Sequence, residues 1–316
     1  LRGDPGGGKT SFAEELGEFF KVNVELFYGS CHSSEDIGGY PICNVAEKTI
    51  SMIPAGEWQD RLLKAGLGNP DKPIAAILVL DELSHLNGSM QAATLALIND
   101  RRAGDIKFPD NVAIMACTNK AAQGGFELMA AMANRLVFIP WNTDLKSVED
   151  GFMNGWNKST YPILPPDWRK HIPAAAALVI AFFKRFPQHC HAMPESEAAQ
   201  SEPWPSPRTW LKMAIPAMAA VASVNESDEI LAILLDGSVG TNVAAEFLGW
   251  RRSLDLADPE AWLADSTKFE FYERSDRMFA MLNAVVTAAV SNMTPARWKA
   301  SWHILYQCAK VGHIDM

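Results

Sequence analysis

The sequence lacks the features that mark secreted, membrane-spanning and strongly nucleic-acid-binding proteins. Its five cysteines are scattered over 316 residues without a Cys-x-x-Cys pair, so we expect reduced thiols in a cytoplasmic protein. The longest apolar stretches, such as Ile172 to Phe183, are too short to cross a bilayer, and no membrane span is predicted. With 28 basic and 37 acidic residues, the formal net charge of -9 disfavours binding along a nucleic-acid backbone.

The pattern of apolar residues divides the chain into an α/β part and a helical part. Up to about residue 142, short apolar strands alternate with helical segments, as in a parallel sheet with helices on both faces. Beyond that point the strand signals fade and helical patterns continue to the end. We therefore predict an α/β domain over 1–142, a helical domain over 143–238 and a helical C-terminal extension over 239–316.

Four short runs rich in branched residues are the predicted strands: 22–27, 74–80, 111–117 and 136–140. The run 74–80 is apolar throughout, which favours a central parallel strand covered on both faces. The alternation over 42–53 predicts a β-hairpin inserted between the first two strands. Because the first motif begins at Gly3, we expect the strand before it to be missing from this numbering.

The strongest chemical signal is a glycine-rich segment that matches G-x-x-x-x-G-K-[ST] and leads into a helix-forming segment, 11–20. Its backbone N–H groups can surround phosphate oxygens, and the helix N-terminus adds a favourable dipole. The lysine can reach the β- and γ-phosphates, and the threonine hydroxyl can bind Mg²⁺. The proposed binding residues are Gly3, Asp4, Pro5, Gly6, Gly7, Gly8, Lys9, Thr10 and Ser11.

Polar residues at the ends of two later strands support a phosphate site. Asp81 and Glu82 follow the apolar run 74–80, where Asp81 can hold Mg²⁺ and Glu82 can polarise an attacking water. Asn119 ends the next strand and is expected at the same sheet edge, where its amide can orient that water. A solvated acidic pair and a turn asparagine are the alternative interpretations, and the upstream phosphate loop disfavours both.

These motifs, in this order, resemble the core of the AAA+ ATPases, and most closely their MoxR and dynein-related branch. Further similarity lies in Asp36-Ile37-Gly38-Gly39, Ala133-Asn134-Arg135 and Pro205-Ser206-Pro207-Arg208, and it extends over about residues 1–225. The resemblance implies an AAA+ fold with a helical lid, ATP and Mg²⁺ as ligands, and a homo-oligomeric ring that we expect to be hexameric. Part of the adenine pocket is then expected upstream of Leu1.

The resemblance also implies roles for three side chains. Asn119 matches sensor 1, Arg135 matches the arginine finger that a neighbouring subunit presents to the γ-phosphate, and Arg208 matches sensor 2 of the lid. A guanidinium is planar and permanently charged, which suits it to a phosphoryl group in transfer. A surface ion pair is the alternative interpretation for each arginine, and Arg101 and Arg102 are reserve candidates for the finger.

Three functions fit these residues. The first is a MoxR-like ring ATPase that remodels or activates a protein client, with a partner carrying a von Willebrand factor A domain implied by the resemblance. The second is a nucleic-acid translocase or restriction-type motor on the same core. The hairpin over 42–53, which the resemblance places at the central pore, contains one basic residue, Lys48, and this counts against the second. The third is a nucleotide-binding assembly subunit, which Glu82 disfavours.

Overall fold

The computed structural model describes residues 1–53, 56–119, 126–156, 161, 163–224, 227–254 and 256–311. The chain forms two compact units: unit 1 is Leu1–Tyr161 with Pro194–Glu202, and unit 2 is Pro162–Met193 with Pro203–Met316. The short segment Pro194–Glu202 therefore packs with unit 1, although the chain on both sides of it belongs to unit 2. These limits differ from the boundaries near 142 and 238, which stay predictions from sequence pattern.

The strands, all in unit 1, are β1 (Arg2–Gly3), β2 (Asn23–Tyr28), β3 (Tyr40–Asn44), β4 (Thr49–Ile53), β5 (Ala76–Asp81), β6 (Arg102–Ala103), β7 (Ile106–Lys107), β8 (Val112–Ala116) and β9 (Pro140–Trp141). The helices are α1 (Lys9–Phe20), α2 (Ser34–Gly38), α3 (Glu57–Gly68), α4 (Gly88–Asp100), α5 (Ala130–Ala133), α6 (Leu145–Asn154), α7 (Ile172–Arg185), α8 (Glu197–Gln200), α9 (Pro207–Thr209), α10 (Ile215–Val224), α11 (Asp228–Val239), α12 (Thr241–Ser253), α13 (Pro259–Ala264), α14 (Ser275–Ser291) and α15 (Pro295–Lys310). Among the described residues, no helix is both long and apolar enough to cross a membrane.

The parallel sheet of unit 1 has the spatial order β2-β5-β8-β1-β9. Strand β5 pairs with β2 and β8 along its length, and β1 pairs with β9. Backbone hydrogen bonds from Gly3 N to Thr118 O (3.2 Å) and from Thr118 N to Leu1 O (2.9 Å) join β1 to the end of β8. The two residues Arg2–Gly3 form the end of a strand that carries the phosphate loop, and the expectation that strand residues before them are missing from this numbering stays a prediction.

Both faces of the central strand β5 are buried, as its unbroken apolar pattern predicts. Leu78 and Leu80 face a cluster that includes residues of α3 and α4. Ile77 and Val79 face the opposite cluster, which includes Ala13 of α1. Helices therefore cover the sheet on both sides, and the carboxyl ends of its strands form one exposed edge.

Strand β9 is shorter than the predicted strand at 136–140. It comprises Pro140 and Trp141, which pair with Arg2 and Gly3 of β1. Leu136 and Phe138 pack against the core without joining the sheet. Residues 136–139 are half-buried, so the apolar run indicates their packing but not the extent of the strand.

The predicted β-hairpin is present as β3 and β4, which pair from Tyr40 with Ile53 to Asn44 with Thr49. A second, smaller hairpin, β6–β7, lies beside it, and Met52 N donates to Asp105 Oδ2 at 2.8 Å between the two. Gly39 allows this arrangement, since its φ is +83° and an added Cβ would lie 2.8 Å from Ile53 O.

Unit 2 is helical, and its main core crosses the predicted boundary at 238. Phe182 of α7 contacts Trp210 as well as Phe247 and Trp250 of α12, with ring centroids 5.2 to 5.9 Å apart. The predicted C-terminal extension therefore packs on the helices that precede it. Trp250 Nε1 also donates to Asp276 Oδ2 at 2.8 Å, and this pairs a buried carboxylate at the start of α14.

Candidate nucleotide-binding site

The phosphate loop curls around the N-terminus of α1 at the open edge of the sheet. Gly8 is the N-cap of α1 with φ +82°, a left-handed conformation that strains residues with a side chain. A cavity of about 380 Å³ lies in front of the loop. It is lined by Pro5, Gly6, Gly7, Gly8, Lys9, Thr10, Ser11, Asp81, Glu82 and Asn119. The structure thus gathers most of the predicted site residues around one cavity.

Lys9 is only 8% exposed, and its ammonium group donates to three oxygens. Lys9 Nζ donates to Gly3 O at 2.9 Å, to Asp4 O at 2.8 Å and to Asn119 Oδ1 at 3.0 Å. A buried cation needs such acceptors, because leaving water without them is costly. These bonds fix the lysine at the floor of the cavity, where phosphate oxygens could replace or join its present acceptors.

The two residues predicted to bind Mg²⁺ are in direct contact. Thr10 Oγ1 donates to Asp81 Oδ2 at 2.7 Å, and Glu82 N donates to Asp81 Oδ1 at 2.8 Å. A hydroxyl and a carboxylate are hard oxygen donors, which suit Mg²⁺. No group of three or more His, Cys, Asp or Glu suited to a metal occurs among the described residues. The donor set therefore fits an ion that completes its coordination with water and substrate phosphates.

Glu82 has a left-handed backbone, with φ +55° and ψ +41°. This conformation is uncommon for a residue with a side chain and is a form of local strain that often occurs at functional sites. It turns the chain sharply from β5 into a short 3-10 turn, where His85 N donates to Glu82 O at 2.8 Å. Glu82 lines the phosphate cavity, and its role in polarising water stays a prediction.

Trp141, which no sequence motif indicated, covers the phosphate loop from β9. Its indole Nε1 donates to Gly7 O at 2.6 Å, and its ring lies 4.9 Å from that of Phe12. Gly3 permits this close approach, because an added Cβ would lie 1.9 Å from Trp141 O. The polar indole at the end of an otherwise apolar run was the available sequence signal.

A larger cavity of about 770 Å³ opens on the other side of the same glycines. Its walls are aromatic and acidic: Phe12, Trp141, Phe152 and Trp156 lie with Glu14, Glu15 and Glu18. Flat rings can stack on a nucleobase, and carboxylates can accept hydrogen bonds from exocyclic amino groups. The sequence predicts that part of the adenine pocket lies upstream of Leu1, and the described residues of α1, β9 and α6 line this cavity.

No arginine lines the phosphate cavity in the described part of the chain. Arg135, the predicted finger, follows α5; its Nε donates to Asn99 Oδ1 at 3.1 Å and its Nη1 to Ala131 O at 2.5 Å. Arg208 lies exposed in α9 of unit 2, in a turn whose first residue is capped by Ser206. The roles of both arginines stay predictions.

The two reserve arginines, Arg101 and Arg102, differ in their contacts and in their exposure to water. The Arg101 guanidinium donates to Pro109 O and Val112 O, and burial lowers its pKa from the usual value. Arg101 is therefore engaged inside its own subunit. Arg102 lies exposed on β6 and stays a candidate.

This sheet order, with a phosphate loop beside strand-end carboxylates, is that of the P-loop nucleoside triphosphatases. Residues 1–136 match the family model of the AAA domain, dynein-related subfamily, and this part of the chain is an AAA ATPase domain. A solved structure of a proposed ATPase from Cytophaga hutchinsonii is similar over 76% of this chain and 75% of its own, with 16% identity and a TM-score of 0.46. No curated protein matches the chain.

The division of work between Lys9 and Glu82 can be tested by separating binding from hydrolysis. We expect Lys9→Ala to weaken ATP binding, because it removes the cation at the cavity floor. We expect Glu82→Gln to keep binding but to lower hydrolysis by about a hundredfold or more, because it removes the group that accepts a proton from water. Titration with a fluorescent ATP analogue and a phosphate-release assay measure the two effects, and normal hydrolysis by Glu82→Gln would refute the assignment.

Proposed function

We propose that this protein is a subunit of a MoxR-like ring ATPase that binds ATP with Mg²⁺ and uses hydrolysis to remodel or activate a partner protein. The observation that carries the proposal is the composition of the phosphate cavity. Within the described residues it holds a lysine, a strand-end carboxylate pair and an amide, but no arginine. A site of this kind is completed by a guanidinium from elsewhere, as a ring with a shared interface provides.

In the proposed reaction, each residue of the cavity has one task. The loop amides and Lys9 hold the β- and γ-phosphates, and Thr10 and Asp81 would hold Mg²⁺, which neutralises charge on the phosphates when bound. Glu82 accepts a proton from the attacking water, and Asn119 orients that water. Asn119 already shares a hydrogen bond with Lys9, so nucleophile and phosphate are positioned by contacting groups.

The aromatic cavity beside the loop is the proposed site of the nucleobase. It adjoins the same three glycines, Gly6, Gly7 and Gly8, so a nucleotide with its phosphates on the loop can reach it. Phe152 and Trp156 are 78% and 69% exposed. Large aromatic side chains left this open to water at the wall of a cavity are suited to covering a flat ligand.

The β3–β4 hairpin is the proposed contact with the protein client. Ile42, Val45 and Ile50 are exposed by 51%, 85% and 66%, and Lys48 is the hairpin's basic residue. Exposed apolar side chains suit contact with a polypeptide, whereas a phosphate backbone requires clustered lysine and arginine.

The scattered cysteines, free among the described residues, support the proposed cytoplasmic setting.

Removing one aromatic wall tests the nucleobase site. We expect Phe152→Ala to weaken ATP binding about tenfold, since stacking of a base on an aromatic ring contributes about 1–3 kcal/mol. Leu145→Ala is the matched control, because Leu145 lies on the same helix, is 70% exposed and does not line the cavity. Equal affinity of the two variants would contradict the assignment.

Mixing two inactive variants tests whether the finger acts between subunits. We expect Arg135→Ala and Lys9→Ala each to have little ATPase activity alone. A mixture should regain activity, because some interfaces then combine an intact phosphate loop with an intact Arg135. ATPase rate is measured against mixing ratio and total concentration; full activity of the wild type at high dilution would show that no neighbour is needed.

A trapped complex tests the nature of the client. We expect Glu82→Gln with ATP to retain a protein client, and the same variant carrying Ile42→Ser and Ile50→Ser to lose it. Both added substitutions lie on exposed strand positions, so the fold should persist, and circular dichroism checks this. Retained nucleic acid in place of protein would favour the translocase alternative.

A further inference from the structure

The segment Pro194–Glu202 is bound to unit 1 although it lies between helices of unit 2 in the chain. Its short helix α8 packs against α5. The segment is braced internally, since Gln200 Nε2 donates to Pro194 O at 2.8 Å and Ser201 Oγ to Ala198 O at 2.7 Å. Ser201 is 7% exposed, and this residue lines a small cavity together with Arg2 and Asn119. We call this segment the tether.

The tether ends in a two-pronged ion pair with the first strand. The two terminal nitrogens of Arg2 donate to the two carboxylate oxygens of Glu202, which is 200 positions away in the chain. The Arg2 guanidinium also lies over the Phe138 ring, 5.6 Å from its centroid. The side chains are 22% and 43% exposed, so the pair is partly shielded from water. A bidentate, stacked arginine has a defined orientation that a single charge contact would not impose.

This ion pair anchors the strand that contributes a carbonyl acceptor to Lys9. Arg2 forms β1, where its backbone N donates to Ile139 O at 2.9 Å. The next residue, Gly3, offers the carbonyl that accepts a hydrogen bond from Lys9. Because Arg2 directly precedes Gly3 in β1, the side-chain anchor at Arg2 contributes to where the Gly3 carbonyl lies.

We propose that Glu202 is a positioning residue of the phosphate site, acting through Arg2 on the β1 carbonyl that holds Lys9. The proposal rests on the proposed ATP binding. It implies a reciprocal effect, because if the ion pair favours the nucleotide-bound loop, nucleotide must favour the ion pair by the same factor. Glu202 precedes Arg208 by six positions in the sequence. Nucleotide binding would therefore steady the chain that leads to the predicted sensor 2.

The test compares two glutamates that each accept a bidentate arginine in unit 1. Glu202→Gln removes the tether pair, and Glu25→Gln removes the pair with Arg61, whose Nε and Nη2 lie 2.6 and 2.8 Å from the Glu25 carboxylate on β2. We expect Glu202→Gln to weaken binding of a non-hydrolysable ATP analogue about fivefold, and to raise KM by the same factor with kcat unchanged. Glu25→Gln should leave the affinity unchanged, although Glu25 is the more buried of the two.

A double-mutant cycle and hydrogen exchange separate positioning from stability. Arg2→Gln should weaken binding as much as Glu202→Gln, and the double variant no more than either, because both remove one interaction. Amide exchange of residues 194–202 in the wild type should slow when the analogue binds, and this slowing should be lost in Glu202→Gln.

Three results would overturn the proposal. The first is equal affinity of the wild type and Glu202→Gln for the analogue, and the second is an equal loss of affinity in Glu202→Gln and Glu25→Gln. The third is amide exchange of the tether that is the same in the wild type with and without nucleotide. A wild type that binds no ATP would instead refute the proposed function, so the two failures are distinguishable.

Discussion

A lysine ammonium taken almost completely out of water is the interaction on which the site depends. Lys9 is 8% exposed and must find oxygen acceptors, which it takes from Gly3, Asp4 and Asn119. Two of these acceptors are main-chain carbonyls of the loop itself, and the third follows the neighbouring strand β8. One buried charge thereby fixes the curvature of the loop and its distance from the group predicted to orient water.

The strand order makes this convergence unavoidable. Because β1 lies between β8 and β9, the loop that follows β1 emerges next to Asn119 on one side and Trp141 on the other. Strand β5 lies one place further along, and brings Asp81 to the hydroxyl of Thr10. Parallel strands all present their carboxyl ends at the same edge of the sheet. The pairing of the strands therefore brings together site residues that are more than a hundred positions apart in the sequence.

Local patterns predicted the parts of the site that follow a strand or open a helix. The sequence could predict the phosphate loop from its glycine motif. It could also predict Asp81, Glu82 and Asn119, because each lies at the polar end of an apolar run. Phe152 could not be predicted, since an aromatic residue on an amphipathic helix is most often core, and the only signal for Trp141 of β9 was its polar indole after an apolar run. The pairing of Arg2 with Glu202 could not be predicted either, because it depends on the packing of the tether with unit 1, which no sequence pattern indicates.

Charge balance is a physical argument for the proposal that the site is shared between subunits. The phosphate cavity holds one lysine against the carboxylates of Asp81 and Glu82, and the adjoining cavity adds Glu14, Glu15 and Glu18. A triphosphate would bring several more negative charges into this surrounding. A bound Mg²⁺ offsets part of them, but the charge that develops on the γ-phosphate during transfer needs a further cation close by. In the proposed ring, the guanidinium of a neighbouring subunit is that cation, and the proposal therefore links catalysis to assembly.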